Sequence, residues 1–418
     1  MAIHDPKLPK RPLNVMFVIT SMPVGGAEVL LMNLVRRFDP LRIKPSICCL
    51  KEKDELGDEV SYDIPVFDHQ IKHKFDLAVV KRLGLLYKKN KIDAVVTVGA
   101  GDKMFWGRLA AKNAGVPIVL SALHSTGWPD GVGRLNRLLT KITTGFIAVA
   151  ESHGEFLVDF EKFPREKVFV IPNGIDTEKF QLDVDARVRW RQQIGIPTDA
   201  PTVGIVAALR PEKNHILFVN SAAETLKAIP EAHFVIAGDG PERPAIEQRI
   251  AELGIGDRVH LIGSTSDIPG VLSAVDLFSL TSQNEASPVS ILEAMSCQRP
   301  VVAPSVGSIS ESVLEGKTGF LVPEGDLTAS AARWIEVLEN PTLAGEMGIA
   351  ARKHVVESSS LDSMTEGYAG LVETLYYGES RKSNCDDRST VHDVGTCPIP
   401  ATAAETNHGA DVSSTVNS

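Results

Sequence analysis

Short, continuously apolar runs alternate with helical patterns along two stretches of this chain, and a polar interval separates the two. In the first stretch the strand-like runs are 15–20, 45–50, 94–98, 117–121 and 145–149, and the helical patterns are 27–38, 75–87, 103–114 and 134–142. Runs this short and apolar throughout suit strands covered on both faces. Alternation with helices implies a parallel, doubly wound sheet. The series stops at Ile171-Pro-Asn-Gly-Ile-Asp176, where Asn173-Gly174 marks a turn. A polar helical stretch, 185–194, and the breaker-rich Gly195-Ile-Pro-Thr-Asp-Ala-Pro201 follow. The pattern then restarts with strands at 202–207, 233–237, 259–262, 277–280 and 300–303 and helices at 216–228, 243–253 and 288–296. Helices at 330–339, 342–356 and 364–377 close it.

The expected architecture is α/β, with two doubly wound domains facing across a cleft. Residues 13–176 form the first, 177–200 a linker and 201–359 the second. Ligands of open α/β sheets bind beyond the carboxyl ends of the strands, and two facing domains can share one cleft. From 379 to 418 the chain is polar with few large apolar residues, so disorder is expected there.

Composition narrows the function. Apolar residues are 43% and charged residues 23%, the balance of a soluble globular protein. A net charge of −10 argues against nucleic-acid binding, which needs a basic surface. No apolar run reaches 18 residues, and residues 1–12 lack the apolar core of a secretion signal. The five cysteines are Cys48, Cys49, Cys297, Cys385 and Cys397; without metal-ligand spacing they suggest a reducing, cytoplasmic setting.

Four segments carry candidate chemistry. Asn284-Glu-Ala-Ser-Pro-Val-Ser-Ile-Leu-Glu-Ala-Met295 follows an apolar strand. Ser287 reads as an N-cap and Pro288 as the first helical residue, so the amides of Val289 and Ser290 are expected to face an anion such as a pyrophosphate. Glu285 precedes that start. Glu293 lies four residues after Val289 on the same face, where ribose hydroxyls would suit a buried carboxylate. A solvated glutamate fits the spacing equally. In Ala207-Ala-Leu-Arg-Pro-Glu-Lys-Asn-His215, Arg210 and Lys213 stand in a strand-to-helix loop, where a fork and a point charge suit a diphosphate. Gly25 and Gly26, between the first strand and first helix, permit close backbone approach. His124 follows the strand at 117–121 and could orient a sugar or its acceptor.

Two patterns are set aside. Gly99-Ala-Gly101 and Gly238-Asp-Gly240 do not complete a dinucleotide fingerprint. Asp183-Val-Asp185 reads as a helix cap rather than a metal site, and no catalytic metal is expected.

Together these residues resemble retaining glycosyltransferase family 4, of the GT-B fold, over roughly residues 13–378. The matching segments are Gly25-Gly-Ala-Glu28, His124, Ile171-Pro-Asn-Gly-Ile-Asp176, Arg210-Pro-Glu-Lys213, Ala237-Gly-Asp-Gly-Pro241, the Glu285–Glu293 pair, Gly307-Ser-Ile-Ser-Glu311 and Gly319-Phe-Leu-Val-Pro323. The resemblance implies two Rossmann-like domains, with a helix at 360–378 returning to the first. It implies a nucleotide diphosphate sugar as donor and no cofactor or essential metal. Glu293 would hold the ribose and Glu285 the donor sugar, with Ala286, Ser287, Pro288, Val289, Ser290 and Gly263 completing the donor contacts. Lys213 and Arg210 would neutralise the diphosphate, Gly25 and Gly26 would approach it from the first domain, and His124 would lie near the sugar. The acceptor would be a glycan, a lipid or a small molecule, in polysaccharide or glycolipid synthesis. Basic residues at 81–91 could touch an anionic lipid face. Two positions depart from the family pattern: Ala208 replaces an arginine, and Ala286-Ser287 replaces a glycine and an aromatic residue. A sugar-nucleotide epimerase, a phosphorylase and a non-catalytic scaffold remain alternative readings.

Overall fold

A computed structural model describes residues 11–23, 25–73, 76–99, 102–123 and 137–384. Its strands are β1 Leu13–Ile19, β2 Ile43–Cys49, β3 Val66–Phe67, β4 Ala94–Val98, β5 Ile118–Ala122, β6 Gly145–Ala148, β7 Val168–Val170, β8 Thr202–Val206, β9 His233–Ala237, β10 Val259–Gly263, β11 Leu277–Ser279, β12 Val301–Pro304 and β13 Gly319–Val322. They form two sheets, ordered β3-β2-β1-β4-β5-β6-β7 and β10-β9-β8-β11-β12-β13, with every pairing parallel. The two doubly wound units expected from the alternation are present. In each the strand order reverses at the centre, between β1 and β4 and between β8 and β11. Such switch points open the crevice where ligands settle.

The strands that periodicity missed are β3, β7 and β13, and all three are sheet edges of two to four residues. The expected helix at 75–87 begins only at Val79, because Asp76 accepts from Lys72 N and Arg82 and holds a turn. Of the expected helix at 134–142 only 137–142 are described: 137 and 138 are helical and the 3-10 turn Leu139–Lys141 follows them.

The interval 177–200 is no free tether. Asp183 caps helix Val184–Ile194 by accepting from Ala186 N at 2.9 Å. Arg191, 1% exposed, donates to Ala274 O at 2.8 Å and to Asp276 at 3.0 Å. That helix therefore walls the second unit.

The last helix, Leu361–Asn384, continues past the expected end, so 379–384 are helical; the rest of the expected tail lies outside the described residues. Its Met364, Tyr368, Leu371 and Val372 bury in the first core beside Phe17 and Val35. Arg42 pairs with its Glu366 and Glu373. The other core is built on Phe218, Phe234 and Trp334.

The chain crosses between units twice, and the crossings are joined. Ile175 N donates to Ser359 O at 3.0 Å and Leu361 N to Ile175 O at 2.9 Å. Gly174 makes this approach possible, since a Cβ there would sit 2.3 Å from Ser360 O. Gly174→Ala is expected to destabilise the protein by about 1–3 kcal/mol through overpacking. Urea unfolding checks this, and an unchanged midpoint contradicts the close approach.

Candidate donor site

Three candidate segments leave switch-point strands at their carboxyl ends. The loop with Gly25 and Gly26 follows β1, the loop with Arg210 and Lys213 follows β8, and the loop with Glu285 follows β11. Lys213 ends the 3-10 turn Pro211–Lys213, and Asn214 then takes a left-handed conformation that starts helix His215–Ala228. Thr281 Oγ1 donates to Lys213 O at 3.1 Å and to Asn214 O at 3.0 Å. Gln283 N reaches Glu212 O at 2.9 Å. These bonds tie the β8 and β11 loops together and bring Lys213 Nζ to 2.5 Å from Glu285 Oε1. Glu285 is buried and also accepts from Ser282 Oγ at 2.7 Å.

The Gly238-Asp-Gly240 segment braces this loop from outside. Leu209 N donates to Asp239 O and Glu242 N to Leu209 O, each at 3.0 Å. Gly307 supports Glu285 from behind. Its φ is +54°, and a Cβ there would lie 1.6 Å from Glu285 O.

The helix after Glu285 starts one residue later than expected. Pro288, with ψ 111°, is the N-cap of helix Val289–Ser296, and Ser287 makes no cap. Instead the Ser287 carbonyl accepts from Asn173 Nδ2 at 3.3 Å, a contact from the crossing segment. An extended Pro288 cannot be the first helical residue, so Val289 and Ser290 occupy that first turn. Their amides lack carbonyls four residues earlier within the helix and suit an anion. One turn on, Glu293 is half-buried among Ile291, Leu292, Ala294 and Met295. Burial pushes its carboxyl up to about 7, and Lys179 opposes that rise.

Gly26 begins helix Gly26–Arg37 on the first unit, with no atom within 4 Å of where a Cβ would stand. Burial lifts the Glu28 carboxyl above the usual range, and its own backbone amide and the Arg210 charge oppose the lift. Arg210 is exposed, and its charge favours the ionised form of Glu28. Gly263 ends the edge strand β10 with φ +74°, and its carbonyl accepts from Gly238 N at 2.9 Å. His124 lies outside the described residues. Direct bonds thus join Lys213 to Glu285, and Ala286, Ser287, Pro288, Val289, Ser290 and Glu293 follow on one segment. Ser282 and Glu28 were given no role by sequence; Ser282 stands three residues before Glu285, a spacing that carries no motif by itself.

Two family models match the chain in succession. Glycosyltransferase Family 4 covers residues 24–179, and Glycosyl transferases group 1 covers 186–354. The chain belongs to glycosyltransferase family 4. This glycosyltransferase is 28% identical over 302 residues to the UDP-Gal:alpha-D-GlcNAc-diphosphoundecaprenol alpha-1,3-galactosyltransferase of Escherichia coli, covering 69% of this chain and 78% of that protein. It is 25% identical over 349 residues to the GDP-mannose-dependent alpha-(1-6)-phosphatidylinositol monomannoside mannosyltransferase of Mycolicibacterium smegmatis, covering 79% and 89%. Among solved structures, Anabaena HepE in complex with UDP shares the fold at a TM-score of 0.77 and 21% identity, covering 87% of this chain and all of that one. The glycosyltransferase has the GT-B fold.

Proposed function

We propose that this glycosyltransferase moves a hexosyl group from a nucleoside diphosphate sugar to a lipid-linked or glycan acceptor, with retention of anomeric configuration. The Lys213–Glu285 pair, on the segment that leads into the first helical turn at Val289 and Ser290, is the observation that carries the reading. As the glycosidic bond to the diphosphate breaks, negative charge grows on the leaving phosphate and positive charge on the sugar. Lys213 and the two amides meet the first, and preorganised donors of this kind act most strongly where charge develops. Arg210 adds positive charge at the same mouth. Glu285 holds Lys213 in place and faces the sugar. Glu293 accepts from the ribose hydroxyls. The leaving phosphate takes the acceptor's proton, so no protein base is required, and no metal is assigned. Proton NMR of the product of a sugar nucleotide and a polyprenyl-diphosphate-linked sugar tests this. An α-linked product from an α-linked donor is expected; an inverted linkage, or epimerised donor without transfer, contradicts it.

The two relatives are named for lipid-borne acceptors, which favours work at a membrane face. Among the described residues no helix is long and apolar enough to cross a membrane. A peripheral contact fits helix Val79–Lys89 and the turn before it, where Leu77 and Leu85 are 71% and 59% exposed and Lys81, Lys88 and Lys89 are exposed with them. Each basic side chain near an anionic surface contributes about 1 kcal/mol. Lys88→Gln is therefore expected to lower partitioning onto phosphatidylglycerol-containing vesicles about five-fold, read by co-sedimentation. Equal sedimentation of both proteins contradicts this contact.

A further inference from the structure

Glu311 closes the matching segment Gly307-Ser-Ile-Ser-Glu311, to which no donor contact is assigned, and it joins the two units. It lies on the short helix Ile309–Ser312 after β12. Its Oε2 accepts from Glu151 N and its Oε1 from Ser152 N, each at 2.8 Å. Those amides are the first two of helix Glu151–Asp159 in the first unit, whose N-cap, Ala150, has no side chain able to cap it. The carboxylate therefore meets two otherwise unpaired donors at the positive end of a helix. The side chain of Glu151 does not supply the attraction, because burial and then the Glu311 charge raise its carboxyl above the usual range.

The Glu311 segment is also fastened to the donor loop. Ser308 N donates to Glu285 O at 3.4 Å, and Ser308 Oγ donates to Ala286 O. Gly307 lies against the Glu285 carbonyl so closely that no Cβ fits between them. A pull on Glu311 is thus passed through three residues of chain to the backbone of Glu285 and Ala286. The two chain crossings between the units are themselves paired, Ile175 bridging Ser360.

We propose that Glu311 is a positioning residue, a latch between the units that sets the Glu285–Ala286 loop for reaction when the cleft closes. The proposal rests on the reading of that loop as the donor-sugar contact. The latch acts on chemistry more than on nucleotide binding, because Val289, Ser290 and Glu293 all stand on the second unit and do not depend on it.

Two variants cut the latch from opposite ends. Glu311→Ala removes the acceptor. Glu151→Pro removes one donor and preserves the helix: proline suits the first helical position, and Ala150 is already extended, at φ −163° and ψ 161°, as a residue before proline prefers. Glu151→Ala keeps the amide and isolates loss of the side chain. Release of nucleoside diphosphate is measured with UDP-glucose, UDP-galactose and GDP-mannose, using the one that gives the largest thermal shift. Glu311→Ala and Glu151→Pro are each expected to lower kcat about ten-fold, with calorimetric affinity for UDP or GDP changed less than about two-fold. The double variant is expected to be no slower than either single one, since both remove one interaction. Amide exchange in the peptide 149–156 is expected to quicken in Glu311→Ala. Glu151→Ala should exceed Glu151→Pro by the same factor. Unchanged kcat in Glu311→Ala despite faster exchange overturns the proposal, as does additive loss in the double variant. Glu311→Gln, which keeps the side-chain volume, serves if the alanine variant is unstable, and full kcat there likewise overturns it. Glu285→Gln separates the two readings: full turnover in that variant removes the donor-sugar reading, whereas loss there with none in Glu311→Ala removes the latch alone.

Discussion

Lys213→Ala lowers turnover on the order of 10²–10³-fold, by analogy with removing one preorganised donor from a developing negative charge. The ammonium is held before any ligand arrives. Asn214 turns the chain, Thr281 fixes the carbonyls of Lys213 and Asn214, and Glu285 receives the charge at 2.5 Å. Little reorganisation is then needed as the phosphate departs. The substitution also leaves Glu285 buried with only Ser282 among its side-chain bonds described here, so stability falls with activity. The double variant Lys213→Met with Glu285→Gln removes that buried charge. It is expected to melt closer to the wild type than Lys213→Ala and to remain slow. Near-normal turnover at saturating donor in Lys213→Ala contradicts the role given to this lysine.

Glu293→Ala weakens binding of a nucleoside diphosphate sugar on the order of 10²-fold, since hydrogen bonds to a charged carboxylate contribute about 1.5–3 kcal/mol each. The effect has a pH signature. Burial holds the empty carboxyl up to about 7. Ribose hydroxyls donate to the charged form, so binding lowers that value and releases a proton wherever the free group is still protonated. Affinity therefore rises from about pH 6 to about pH 8 and levels off above the free value. A sugar nucleotide is the proper probe, because its diphosphate has no ionisation in this range. Glu293→Gln is expected to flatten the profile. A wild-type profile that is already flat, or one that falls with pH, contradicts a charged Glu293 on the ribose.

The central strands were legible because both their faces are covered, which leaves uninterrupted apolar runs such as 94–98 and 233–237. The edges were not. β3 and β7 span two and three residues, too few for any period to register, and all but Val168 are only partly buried. Gly25, Lys213 and Glu285 stand where a switch-point strand hands over to a helix, and Glu293 lies one turn into the helix that follows; local spacing records these places in the chain. Ser287 misled as a cap because its carbonyl is engaged by Asn173, more than a hundred residues earlier, a contact no local pattern encodes. The same holds for Glu311, whose partners lie about 160 residues away in sequence. Gly238-Asp-Gly240 does not complete a dinucleotide fingerprint, and its Asp239 carbonyl, which accepts from Leu209 N, braces the loop that carries Lys213. The family models supply what spacing could not, by covering both units in one order.

Calorimetric titration of UDP- and GDP-sugars into the wild type and Glu293→Ala, side by side at about pH 8, tests the donor site most directly. The wild type is expected to bind at least one of them with a single site, and Glu293→Ala to bind it on the order of 10²-fold more weakly. Equal affinity in the two proteins contradicts the placement of the nucleotide on the helix that follows Glu285.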